Sequence, residues 1–161
     1  MVAVAAVIWL RVVYFGRPVG LMRDIRAGLA ARSIKDPDQR LAKYLEGRYG
    51  DLSDPANRQA VFVDFFDTER IKALQMLVKR APEDQRQANI DAMARWLANY
   101  RASMSAAERA ALNAQFQSPE GRSKLGRATA QYNSQDVLYR GYTAPVISEL
   151  LRTLNEVEQP R

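Results

Sequence analysis

Three times along this chain a helix-capping side chain is followed directly by proline: Asp36-Pro37, Asp54-Pro55 and Ser118-Pro119. An Asp or Ser side-chain oxygen accepts a hydrogen bond from a free N–H of the first helical turn. Proline suits the first helical position because the N–H it lacks would have no partner there. Each pair therefore marks where a helix begins. Gln39 extends the pattern after Asp36, and Ser105 followed by Glu108 has the spacing of a capping box. Asp67 or Thr68 can open another helix, and Pro82-Glu83-Asp84 places two acids at the positive end of a helix dipole. No stretch alternates polar and apolar residues with a period of two over a useful length. The chain is therefore expected to be all-α, a bundle of six to eight short helices with an apolar N-terminal helix.

The apolar residues follow the same frame. Leu41, Tyr44, Leu45 and Tyr49 line a helix that stops at Gly50. Val61, Phe62, Phe65 and Phe66 give the next helix enough bulk to sit centrally in a core. Ile71, Leu74, Leu77 and Val78 follow, then Ile90, Met93, Leu97, Tyr100 and Met104 at steps of three and four. Ala110, Ala111, Ala114 and Phe116 would form a small-residue face for close helix approach. Leu125, Ala128 and Tyr132 line the helix after it. The last helix is expected to begin near Ser134, to kink or restart at Pro145, and to bury Val146, Ile147, Leu150, Leu151, Leu154 and Val157.

The first fifteen residues differ from the rest: apolar from Val2 to Leu10, one charge at Arg11, then Val12 to Phe15. As a helix this run would be about 21 Å long. A bilayer core is about 30 Å thick, so the run is short for a span. A buried first helix is one alternative, but the segment is apolar all round and has no amphipathic stripe. A cleavable signal peptide is another, but no basic region precedes Val2. Residues 1–50 carry nine Lys/Arg against four Asp/Glu, and residues 51–161 carry fifteen against fourteen. The positive excess thus follows directly on the apolar run. The chain is expected to divide into a single-pass membrane anchor over 1–16, a basic juxtamembrane helix over 17–35 and a helical bundle over 36–158. Arg11, Arg17, Arg23 and Arg26 are the candidate contacts to lipid headgroups or other anions. Positive charge after the span favours a cytoplasmic bundle.

The chain has neither cysteine nor histidine. Disulfides, thiolate nucleophiles and the commonest metal ligands are therefore excluded, and so is the commonest general base. No catalytic, metal or cofactor site is expected. Asp64, Asp67 and Glu69 are the densest carboxylates in the middle of the chain. They would serve a hydrolase only if they flanked a cleft, and capping explains Asp67 and Glu69 better. Tyr132, Tyr139, Arg140 and Tyr142, with Arg127 nearby, form a candidate ligand cleft for an anion or a sugar. Their rings are equally suited to packing in the core. The expected function is that of a non-enzymatic, membrane-anchored helical protein that binds lipid through its N-terminal segment and another protein through its bundle. A soluble basic module holding nucleic acid through Arg23, Arg26, Arg32 and Lys35 is the alternative, but nucleic acid is not the favoured partner. A carboxylate-based hydrolase comes third.

One stretch carries a resemblance. Met104-Ser105 with Glu108, followed by Phe116-Gln117-Ser118-Pro119-Glu120-Gly121-Arg122, resembles a bacterial α-helical domain family of unknown function. In that family a capped helix runs into an aromatic-x-Ser-Pro-x-Gly turn. The similarity extends over residues 104–157. Members of the family are typically exported, so the resemblance implies an extracytoplasmic helical domain, opposite to the side that the charge asymmetry favours. It brings no catalytic residues with it.

Overall fold

The computed structural model describes residues 18–72 and 82–158. Seven helices follow one another: α1 (Pro18–Ala31), α2 (Pro37–Tyr49), α3 (Pro55–Asp64), α4 (Glu83–Ser103), α5 (Ala106–Gln117), α6 (Pro119–Asn133) and α7 (Val137–Glu158). Residues 68–72 are also helical, and there is no strand among the described residues. The protein is all-α. The expected stripe residues Leu74, Leu77 and Val78 and the apolar segment 1–16 lie outside the described residues.

The helix starts follow from the capping chemistry. Asp36 Oδ1 accepts from the Gln39 N–H at 2.8 Å and Asp54 Oδ1 from the Ala56 N–H at 2.9 Å. Asp67 Oδ1 accepts from the Glu69 N–H at 2.9 Å, so Asp67 is the cap there. At α5 the capping box closes in both directions: the Glu108 N–H donates to Ser105 Oγ, and Glu108 Oε2 accepts from the Ser105 N–H. Helix α4 has no side-chain cap. It begins after Pro82 with Glu83 and Asp84 in its first turn.

The chain forms two compact units, residues 1–50 and 51–161. In the first, α1 and α2 pack on one another, so the helix capped by Asp36 belongs with the basic helix before it. Ala27, Ala31 and Leu45 are its buried apolar residues among those described. The approach is close: a Cβ on Gly47 would lie 3.0 Å from the Ala27 Cβ. Gly50 ends α2 at φ 95°, a left-handed value that glycine adopts without a Cβ clash, and its N–H donates to the Glu46 carbonyl.

In the second unit α4 and α7 pack together, while α5 touches α3, α6 and α7. Helices α4 and α7 run parallel. Arg86, near the start of α4, lies over Tyr142 in the first half of α7, and Arg101, near the end of α4, pairs with Glu156 near the end of α7. The core is aromatic at its centre. Phe62, Phe66 and Phe116 meet edge to face with centroids 5.0–6.2 Å apart, and Phe62 reaches Tyr100 at 5.5 Å. Ile90, Leu97, Met104, Leu112, Val146, Leu150, Leu154 and Val157 complete it. The bulky face of α3 is therefore central, as its composition predicts.

The α5–α6 corner explains the aromatic-x-Ser-Pro-x-Gly pattern physically. Ser118 alone separates the two helices. Its N–H donates to the Ala114 carbonyl to end α5, and its Oγ accepts from the Gly121 N–H at 3.0 Å to begin α6. So short a joint drives the first turn of α6 onto the last turn of α5. A Cβ on Gly121 would lie 2.1 Å from the Gln115 carbonyl oxygen and 2.8 Å from the Phe116 Cα. Glycine is thus required by space, with Phe116 seated in the core beside it.

Four details differ from the sequence-based expectations. Ala110, Ala111 and Ala114 face solvent, and α5 instead buries Leu112 and Phe116, four residues apart on the opposite side. Burying the larger side chains removes more apolar area from water, so they take the core. The last helix begins at Val137, with Asp136 Oδ1 accepting from the Tyr139 N–H at 2.8 Å. Ser134 belongs to the end of α6, its Oγ donating to the Gln131 carbonyl. Helix α7 also continues through Pro145. Proline removes the N–H that the Gly141 carbonyl would accept, and Gly141 is exposed, so water can serve that carbonyl instead. Within this helix Leu151 is exposed rather than buried.

Candidate functional site

Of the proposed headgroup contacts, Arg11 and Arg17 lie outside the described residues. Arg23 and Arg26 are exposed on α1. They belong to a longer row in which every third residue is exposed: Arg23, Arg26, Leu29, Arg32 and Lys35. Among the described residues the four cations of this row make no ion pair. The inward side of α1 carries Ala27, Ala31 and its one acid, Asp24. Asp24 accepts from Arg48 in a short ion pair and from the Tyr44 hydroxyl at 3.3 Å, both on α2. Arg48 is itself held over the Tyr49 ring, 5.0 Å from its centroid. The only carboxylate of α1 is thus directed toward α2. Leu29, at the middle of the row, is 63% exposed.

The tyrosine–arginine group is distributed between core and surface. Tyr139 is buried, and its hydroxyl donates to the Ile71 carbonyl at 3.4 Å. Burial, with smaller effects from Tyr132 and Asp136, pushes its hydroxyl pKa up to about 12. The Tyr132 hydroxyl donates to the Arg140 carbonyl at 3.4 Å. Tyr142 packs against the core with one face under the Arg86 guanidinium, 5.3 Å away. Arg127 donates to Ser123 Oγ at 2.6 Å. The structure joins Tyr132 to Arg140 through a backbone carbonyl and directs the other two rings into packing.

Each of the three central carboxylates has a structural partner. Asp64 pairs with Arg70 at 3.8 Å, Asp67 caps the helical stretch after it, and Glu69 pairs with Lys72 at 2.8 Å on an exposed surface. Among the described residues no group of three acidic side chains is arranged to hold a metal ion.

Two polar clusters and a few exposed apolar residues carry no marker that the capping and stripe patterns pick out. Arg101 on α4 bridges Glu149 and Glu156 on α7, at 3.3 and 2.5 Å. Arg58 on α3 reaches Glu108 on α5 at 3.0 Å and also donates to the Leu52 and Ser53 carbonyls. Glu108, hydrogen-bonded first by the Ser105 N–H and hydroxyl and then by Arg58, is held below the ordinary carboxylate range. The exposed apolar residues are on α7, Val137 and Leu138 in its first turn at 73% and 77% and Leu151 about four turns further on at 54%. The spacing of 23, 26, 29, 32 and 35 was the one signal available for the α1 row. Long-range pairs such as Arg101–Glu156 have no local signature.

No helix among the described residues is long and apolar enough to cross a membrane. No protein-family model, curated protein or solved structure matches this chain.

Proposed function

We propose that this protein is a non-enzymatic helical module held at a membrane by residues 1–16, whose bundle binds another protein. The observation that carries the partner-binding half is α7. One side of this helix fills the core, yet Val137, Leu138 and Leu151 stand in solvent on the rest of it. Val137 and Leu138, adjacent and exposed at the start of this helix, favour a protein contact there. The engagement of Asp64, Asp67 and Glu69 in capping and ion pairing supports a binding role over hydrolysis. The anchor rests on the apolar run Val2–Leu10 and Val12–Phe15 with arginines directly after it. No cofactor is needed for either role.

Two measurements test this reading. Ile8→Asp with Leu10→Asp should move the protein from the membrane fraction to the soluble one, and an unchanged distribution overturns the anchor. A photo-crosslinking residue at Leu138 should give an adduct of defined mass in cells, where one at Glu120 gives none. Failure at 138, or equal labelling at both positions, overturns partner binding through α7.

A further inference from the structure

We infer that α1 and the turn after it form an interfacial segment, with Arg23 and Arg26 on the helix and Arg32 and Lys35 beyond its end lying on the anionic headgroups of a bilayer, and Leu29 inserted among the acyl chains. This deepens the membrane placement proposed above, but it uses residues separate from the anchor.

The geometry of the first unit leads to it in three steps. Helix α1 spends Ala27 and Ala31 on contact with α2, where Gly47 lets the backbones come close. That fixes which side of α1 faces outward. The one acid of the helix is then removed from the outward side, because Arg48 and Tyr44 hold Asp24. Beyond the helix, the exposed acids Asp36 and Asp38 follow Lys35, so the charge of the row rests chiefly on Arg23, Arg26 and Arg32. What remains outward is a row of four cations with no ion-pair partner among the described residues, and it is complementary to lipid phosphate.

Charge alone would fit nucleic acid equally well. Leu29 decides between the two. A phosphate backbone is read by cations, and a leucine at the centre of the contact adds nothing to that reading. An interfacial helix combines arginines with apolar residues that enter the headgroup–acyl boundary. A leucine 63% exposed, with Arg26 three residues before it and Arg32 three after, matches the second pattern.

The experiment uses the full chain carrying Ile8→Asp and Leu10→Asp, so that the anchor does not mask the row. Vesicles are phosphatidylcholine alone, or phosphatidylcholine and phosphatidylglycerol in equal parts, read by co-sedimentation. The expected result is binding to the mixed vesicles and not to phosphatidylcholine. Arg23→Gln with Arg26→Gln should weaken it about 25-fold, at roughly fivefold per cation. Leu29→Ser should weaken it several-fold, whereas Arg122→Gln on α6 should leave it unchanged. These exposed substitutions should preserve the helical circular dichroism. No binding, equal binding to both vesicles, or equal loss from Arg122→Gln overturns the inference. So does displacement by a DNA duplex together with indifference to Leu29→Ser, which would assign the row to nucleic acid. If the anchor substitutions leave the cellular distribution unchanged while the vesicle pattern holds, the anchor fails and the interfacial helix stands.

Discussion

Two glycines on one helix separate space from flexibility as reasons for a missing side chain. Gly121 and Gly126 both lie in α6, but an added Cβ meets the Gln115 carbonyl at 2.1 Å in the first case and nothing within 4 Å in the second. Gly121→Ala should therefore destabilise the protein by about 1–3 kcal/mol through forced repacking of the corner. Gly126→Ala should stabilise it by about 0.5–1 kcal/mol, because glycine in a helix interior costs that much relative to alanine. Urea unfolding of the two variants checks the pair, and shifts of the same sign would refute this account of the corner. The capping box gives a second test. The Ser105 N–H and hydroxyl, aided by Arg58, hold the Glu108 carboxyl below its usual range. A depressed folded-state pKa contributes stability that is present above the unfolded value of about 4.3 and is lost as pH falls through the folded one. Glu108→Gln should thus be less stable than the parent at neutral pH, with the gap closing below about pH 4. A gap independent of pH would show that the charge of Glu108 is not what matters.

At the scale of the element, the helix starts were legible and the choice of buried face was only partly so. Asp36, Asp54, Asp67, Ser105 and Ser118 all cap, because capping is settled within three residues of sequence. Helix α3 was equally plain, since Val61 and Phe62, with Phe66 in the turn after them, have no rival face. In α5 the face expected from Ala110, Ala111, Ala114 and Phe116 buries only Phe116, which pairs inward with Leu112 because the larger side chains remove more apolar area from water. In α7 a kink or a restart was expected at Pro145, and the helix does not restart there. The α1 row was half legible: its arginines were visible as charge, but the direction of Asp24 and the exposure of Leu29 depend on α2. The face assignments predict a contrast. Leu112→Ala, at a position with no exposed area, should cost about 2–5 kcal/mol. Leu151→Ala, at a position more than half exposed, should stay within about 0.5 kcal/mol. Comparable losses in thermal unfolding would mean that the outward side of α7 is misassigned.

For the molecule as a whole, the second unit seals two tyrosines into one core. Burial, then the nearby Glu108, pushes the Tyr100 hydroxyl up to about 12, and burial does the same for Tyr139. A raised folded-state pKa contributes stability that is complete below the unfolded value of about 10 and disappears as pH climbs through the folded one. An alkaline absorbance titration should therefore show two hydroxyls ionising late and together with unfolding. Tyr100→Phe and Tyr139→Phe should each remove one of these late steps. Ionisation of both near pH 10 in the folded protein would contradict their burial.

Among the described residues, the buried apolar side chains of the first unit are two alanines and one leucine. Alanines release little apolar surface on burial, so Ala27 and Ala31 themselves add only modestly to the stability of this hairpin. Any surface that binds α1 in its helical form then shifts the hairpin's folding equilibrium by mass action. Amide hydrogens of α1 should exchange more slowly once anionic vesicles are added, while those of α4 and α7 keep their rates. In that case the bilayer acts as a third layer of the hairpin, supplying from outside the apolar contact that its small residues leave wanting.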